Sequence, residues 1–391
     1  MNRTRASRWG ATIRWMAALA TLWAVPSGLE ASDARSGLIG SSGLAGQLAP
    51  LPGNNWSGGG ASGWTGGRGA GRAIDLPRGN PLTDRLELTA PESELFADAG
   101  DGRLHRLTLL DAGLVACGAD DNAANYARER FYAARNELTQ LLALERQRGG
   151  DELRRIQLVH QVLHQRLLGG GYDPNATNLA ATLQSGVYNC ASATLLFVTL
   201  ASDLNIQAQA MELPGHVRAV VECAGQRYEI EVTCPAWNSA VRQYGTLTPA
   251  LSQRERESGG LNSDLSRSQA ESGRVIPPLG LVAMIYYNRG VDAFNERRFG
   301  ESLAANRRAL LLDPEDKTAR GNMLAAVNNW ALALCDAGYF AEAERLLADG
   351  QQFEPSHATF AHNAAHVLQV WTQVKAGAQT KAHGPEPVGL D

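Results

Sequence analysis

The stretch "HVRAVVECAGQRYEIEVT", His216 to Thr233, decides the fold of the centre of the chain. Two runs rich in β-branched and aromatic residues flank Ala224–Gly225, the place for a two-residue hairpin turn. With that turn, Cys223 faces Gln226, Arg218 faces Glu231 and His216 faces Thr233. Val217, Ala219, Val221, Tyr228, Ile230 and Val232 then share one apolar face. His216, Arg218, Glu229 and Glu231 share the other. A one-residue slip would put the apolar sets on opposite faces, so burial selects this register. Glu231 is then diagonal to His216, within reach of long side chains, and Glu229 lies one pair further away.

Upstream, "IQAQAMEL" reads as a further strand. Before it comes "NCASATLLFVTLASDL", Asn189 to Leu204, apolar nearly all round, as a helix buried in the centre of a domain is. Cys190 stands where that helix starts, and Asn189 suits its cap position. A cysteine there is a packing residue, half of a disulfide or a nucleophile. Unpaired N–H groups at a helix N-terminus favour the thiolate and can donate to an oxyanion. A nucleophile needs a base, and the base an orienting group. His216 supplies the first and Glu231, by register, the second. Asn178 and Gln184 are candidate side-chain oxyanion donors, and Tyr188 either lines the cleft or packs.

Two more helices precede this region. Asn125–Gln147 has apolar residues at helical spacing. In "DELRRIQLVHQVLHQRLL", Asp151 is the expected N-cap, and Leu153, Ile156, His160, Leu163 and Leu167 share a face; "GGGYDP" stops it. His160 and His164 are four apart on that helix. No carboxylate completes an HExxH pattern, so core or surface histidines are expected rather than a metal site.

The 391-residue chain is long enough for two domains. A net charge of −4 argues against a general nucleic-acid binder. Arg3, Arg5, Arg8 and Arg14 precede the apolar stretch Trp15–Val25, which is short for a membrane span, and small residues follow it. This pattern predicts a signal peptide over 1–31 and a secreted or periplasmic mature chain without a membrane span. Five cysteines, an odd number, leave at least one free thiol in a monomer. Cys223 and Cys234 are not opposite in the hairpin register, so no disulfide between them is expected.

Residues 32–100, Gly- and Ser-rich in their first part, read as a disordered linker. The main domain is expected over 101–247, a polar linker over 248–278, helical repeats over 279–375 and a disordered tail over 376–391. The repeats show in "YYNRGVDAFNERRFGESLAANRRALLLDP" and "VNNWALALCDAGYFAEAERLLADGQQFEP". Gly290 matches Ala331, Phe299 matches Phe340 and Pro314 matches Pro355, each at the same offset, with an extended helix around "TARGNMLAAVNNW". These positions resemble tetratricopeptide repeats, which implies paired antiparallel helices.

"NCASA", "ELPGHV" and "IEVTCP" resemble the transglutaminase-like superfamily of papain-type folds, in a bacterial branch that joins such a domain to tetratricopeptide-like helices. The resemblance covers roughly residues 100–375. It implies an α+β fold, helices packed on a small antiparallel sheet, followed by the helical module. It also implies Cys190 as nucleophile, His216 as general base and acid, and Glu231 as third member of the triad. The superfamily usually carries Asp in a "DPT"-like motif at that position, where this chain has "EVT". The expected activity is that of an exported thiol enzyme acting on amide bonds of a protein or peptide substrate, by hydrolysis or acyl transfer, with no cofactor and no metal. A protein partner is expected on the helical repeats. The alternative is a catalytically inactive fold that serves, with its repeats, as a protein-binding module of the cell envelope.

Overall fold

The computed structural model describes residues 74–244 and 273–382. The expected signal peptide, residues 32–73 of the linker, residues 245–272 and the last nine residues of the tail lie outside the described residues.

The first helix, α1 (Ala90–Asp98), falls inside the segment expected to be a linker to residue 100. That expectation is corrected at its C-terminal end. The Thr89 side chain accepts from Glu92 N, the Glu92 carboxylate accepts from Thr89 N, and Leu95 is fully buried. This capping box fixes the helix start. Next come α2 (Leu109–Ala116), α3 (Asp121–Gln147) and α4 (Glu152–Val162), the last capped by Asp151 as expected. Helix α4 widens into a π turn, Leu163–Leu167. Then follow β1 (Gly171–Tyr172), α5 (Leu179–Ser185), β2 (Val187–Tyr188) and α6 (Cys190–Asp203), with β1 parallel to β2.

Strands β3 (Ala208–Leu213), β4 (His216–Cys223) and β5 (Gln226–Ile230) come next, then a short helix α7 (Trp237–Ala240), β6 (Val241–Tyr244) and β7 (Arg274–Ile276). They make one antiparallel sheet in the order β6-β5-β4-β3-β7. Cys223 pairs with Gln226. Ala224 and Gly225 both have positive φ, 51° and 74°, the geometry of a type I′ turn. Val217, Ala219, Val221, Tyr228, Ile230 and Val232 are all buried. Helix α6 packs on β3 and β4, and its residues Leu195, Leu196 and Phe197 are fully buried.

The polar linker expected over 248–278 contains β7 and the start of the next helix, a second correction. Ile276 is buried and the strand takes its ladder bonds from β3, so three residues suffice. Arg274 bonds Glu212 of β3 at 2.8 Å and Asp313 at 2.7 Å, tying the sheet to the helical region.

That region is α8 (Pro278–Asn295), α9 (Phe299–Leu312), α10 (Lys317–Asp336), α11 (Phe340–Phe353) and α12 (Ala358–Ala382). The internal repeat is visible in the backbone. Helices α9 and α11 have equal length and open on the matched Phe299 and Phe340. Their C-cap residues, Asp313 and Glu354, have φ of −138° and −133° and precede the matched prolines. A Pro at this place restricts the residue before it and ends the helix. Gly290 lets α8 approach α9, since a Cβ there would meet the Asn306 amide at 2.5 Å. The tail expected from 376 is corrected in part, because α12 runs on to Ala382. Among the described residues no helix is long and apolar enough to cross a membrane.

The segment 74–89, which turns at Asn80–Asp84, lies along the helical region and is held by its own carbonyls. Trp330 Nε1 donates to Asp75 O (2.8 Å), Arg345 to Pro77 O (2.7 Å), and Arg307 to Pro81 O and Asp84 O (2.8 and 2.6 Å). Leu82 is buried among Phe299, Leu303 and the α10 core. Arg307→Ala combined with Arg345→Ala removes three of these bonds. The double variant is expected to lose about 2–4 kcal/mol of strap attachment. Limited proteolysis should then cut within 74–89 at least tenfold faster, while unchanged cleavage would mean that the carbonyl contacts do not hold the segment.

Candidate active site

Cys190 is the first residue of α6. Asn189 Oδ1 accepts from Ser192 N at 2.9 Å, and Ser192 Oγ accepts from Asn189 N at 3.1 Å, a reciprocal cap. The N–H groups of Cys190 and Ala191 lie ahead of the first capped donor, and the positive end of the helix faces the thiol. Cys190 is partly exposed, whereas the residues that follow it are buried. The parallel pair β1–β2 sets the approach, with Tyr172 paired to Tyr188 two residues before the cysteine. Gly170 is required here, since a Cβ would meet Val187 N at 2.6 Å.

His216 opens β4 after a tight turn in which Leu213 pairs with His216. Pro214 and Gly215 (φ 69°) fill the central positions, the preferred residues of a type II turn. Glu231 follows β5, its N–H donating to Ala240 O of α7 (2.8 Å). The imidazole Nε2 meets Glu231 Oε2 at 2.7 Å. The other oxygen, Oε1, accepts from Thr233 Oγ1 at 2.5 Å and Thr233 N at 3.3 Å. With Nε2 engaged by the carboxylate, Nδ1 is the free ring nitrogen, and Cys190 is close enough to raise the charge preference of the ring. Cys190, His216 and Glu231 are therefore together, and the order is thiol, imidazole, carboxylate.

The electrostatics follow. Burial opposes charge on His216, but the hydrogen bonds and charges of Cys190 and Glu231 more than offset it and push the imidazole from an ordinary 6.5 to about 9. Burial also disfavours the Glu231 charge. The bonds from His216 and Thr233 outweigh this and hold the carboxyl below its ordinary range. Glu229, the more distant carboxylate, is 5 % exposed and binds Arg218 Nη1 at 3.0 Å instead.

Tyr172 is half exposed at the mouth of the site. Burial first, then the charges of Cys190 and Glu231, push its phenol up to about 12. Helix α8 packs against α6 and brings Tyr287 within electrostatic range of the thiol. The candidate oxyanion donors are not placed for that role. Asn178 caps α5, its Oδ1 accepting from Ala181 N, and Gln184 is exposed on the same helix. Tyr188 packs: it is buried and donates to Thr233 O at 3.0 Å.

His160 and His164, expected as core or surface residues, have specific partners that the sequence did not indicate. His160 Nε2 bonds Cys234 O and His164 Nε2 bonds Val232 O, both at 2.9 Å. Among the described residues, no group of three His, Cys, Asp or Glu side chains is placed to hold a metal ion. All five cysteines carry free thiols. Cys117, Cys223 and Cys335 are buried, and burial pushes Cys223 and Cys335 up to about 11.

Comparison with protein-family models, curated proteins and solved structures returns no match to this chain.

Proposed function

We propose that this chain is an exported thiol enzyme of transglutaminase-like type, acting on amide bonds of proteins or peptides through Cys190, His216 and Glu231. The observation that carries the reading is the 2.7 Å bond between His216 and Glu231, with a cysteine at a capped helix N-terminus near enough to act on the same imidazole. In this reading the thiol proton passes to His216, and the thiolate attacks the carbonyl carbon. The carbonyl π electrons move to oxygen, which faces the N-terminal N–H groups of α6. Collapse breaks the C–N bond, and His216 returns the proton to the leaving amine. Water or a second amine then attacks the thioester, giving up its proton through His216, and the thiol is regenerated. Export rests on the segment 1–31. The tetratricopeptide-like helices serve to dock the protein substrate or partner.

Acylation with p-nitrophenyl acetate tests the reading without a natural substrate. One nitrophenolate per chain should be released in a burst, with the acetyl group on the Cys190 peptide. Acetylation spread equally over Cys190 and Cys234, without a burst, would overturn it.

The raised value of His216 fixes the pH response. The folded value lies above the ordinary one, so the stability this group contributes is complete below pH 6.5 and is lost as pH rises through about 9. The same proton is needed by the leaving group. Turnover of an amide is therefore expected to fall on the alkaline side with a midpoint near pH 9. A midpoint near the ordinary imidazole value would mean that Cys190 and Glu231 do not support the charge.

A further inference from the structure

The segment after Glu231 is held in an unusual way. Three consecutive carbonyls, those of Val232, Thr233 and Cys234, each accept a hydrogen bond from a side chain outside the sheet. The donors are His164 Nε2 (2.9 Å), Tyr188 OH (3.0 Å) and His160 Nε2 (2.9 Å). None of these carbonyls has a strand partner, because β5 ends at Ile230. The chain turns here, with Cys234 N donating to Glu231 O at 3.0 Å, and the carbonyls of a turn past the end of a ladder must find their bonds elsewhere; here they find them on side chains.

The donors form one packed row. The His160 ring lies 5.4 Å from Trp237 and 4.6 Å from His164, and His164 lies 5.8 Å from Tyr188. The π turn begins between the two histidines and carries His164. Such turns break helix regularity and concentrate at functional sites. His160 is 1 % exposed and Tyr188 2 %. Burial, with the neighbouring His164 charge, drives His160 down to about 4, so its ring is neutral across the working range and Nε2 carries its one hydrogen as donor. Burial lowers His164 as well.

We propose that His160, His164 and Tyr188 are positioning residues that pin the main chain of 232–234 and thereby aim the Glu231 carboxylate at His216. The inference rests on the triad reading, but not on turnover. Thr233 is the link: its carbonyl is held by Tyr188, and its hydroxyl and N–H hold Glu231 Oε1. A shift of this residue moves the carboxylate directly. Tyr188 also lies two residues before Cys190, so one side chain fixes the nucleophile's approach and the carboxylate's support.

The test is an NMR titration of the His216 imidazole in the full chain and in Tyr188→Phe, His164→Leu and His164→Gln. Tyr188→Phe keeps the ring and loses only the donor. Gln places an N–H donor near the position of the imidazole Nε2. The wild type should titrate well above an ordinary histidine. Tyr188→Phe and His164→Leu should lower the value by about one unit, a tenfold change in support of the imidazolium, while His164→Gln restores most of it. A purely structural role would lower the melting temperature and leave the titration of the folded protein in place. An unchanged titration in folded Tyr188→Phe overturns the proposal, even if His164→Leu fails to fold. Loss of the ester burst in wild type with the titration shifts intact would sink the enzyme reading and leave the clamp standing.

Discussion

Replacing Cys190 with Ala is expected to reduce turnover of amide and ester substrates by about 10⁴-fold or more, the scale seen when a nucleophile is removed from a triad, while the fold stays intact. The fold should survive because the cap of α6 is made by Asn189 and Ser192, not by the thiol. Alanine suits the first turn of a helix, and the removed sulfur is partly exposed rather than core. The activity should collapse because no thiol other than Cys190 acts on the His216 imidazole. Cys117, Cys223 and Cys335 are buried, and the sulfur of Cys234 faces Ala236 O at 3.7 Å. The variant should also titrate differently, since His216 loses one of the two partners that raise it. Steady-state kinetics beside a thermal melt checks both halves. Turnover within tenfold of wild type would remove Cys190 from the mechanism.

Glu231→Gln is the second large effect. The side chain keeps its shape, and its carbonyl oxygen can still accept from Thr233. The amide then presents N–H to His216 Nε2, where the carboxylate presented a lone pair. Nε2 must become an acceptor, so the single proton of the neutral ring moves to Nδ1, on the side of the thiol. A ring in that tautomer cannot take the thiol proton. The analogous change in a serine triad costs about 10⁴-fold, and a loss of about 10³–10⁴-fold in kcat is expected here. The charge that holds the imidazolium is lost as well, so the His216 value should fall. Glu229 cannot replace it, because Arg218 holds that carboxylate at 3.0 Å. A loss below tenfold would make Glu231 a structural ligand only.

The parts legible in the sequence were those written in local chemistry. The hairpin register followed from one turn and one apolar face, and Ala224–Gly225 and the buried valines agree with it. The cap at Asn189 and the repeat offset between Phe299 and Phe340 were also local signals. The expected pairs Arg218–Glu231 and His216–Thr233 are not formed, because the ladder ends at Ala219–Ile230 and the chain turns at 231–234, yet Glu231 still reaches His216. The small antiparallel sheet and the helical C-terminal region were expected and are present.

What was not legible depends on distant partners. The strap 74–89 has linker composition, and the donors to its carbonyls, Arg307, Trp330 and Arg345, lie more than two hundred residues away. Main-chain recognition leaves no pattern in the side chains of the segment recognised. The same holds for His160 and His164, whose partners are carbonyls about seventy positions on. Strand β7 is short and has one buried residue, too little for a period of two to show. Helix α1 was readable in principle, since Thr89 and Glu92 have the spacing of a capping box with Pro91 between them, but the composition around them hid it.

The most direct measurement is the rate of Cys190 alkylation by iodoacetamide across pH, read by mass spectrometry on native protein, with His216→Ala beside it. Cys234, the other thiol that is not buried, serves as internal reference. The account predicts that Cys190 labels faster than Cys234 at neutral pH, and that His216→Ala removes this advantage while Cys234 is unaffected. Labelling of Cys190 that tracks Cys234 across the whole range, or that appears only after denaturation, would contradict an ion-paired nucleophile at this site.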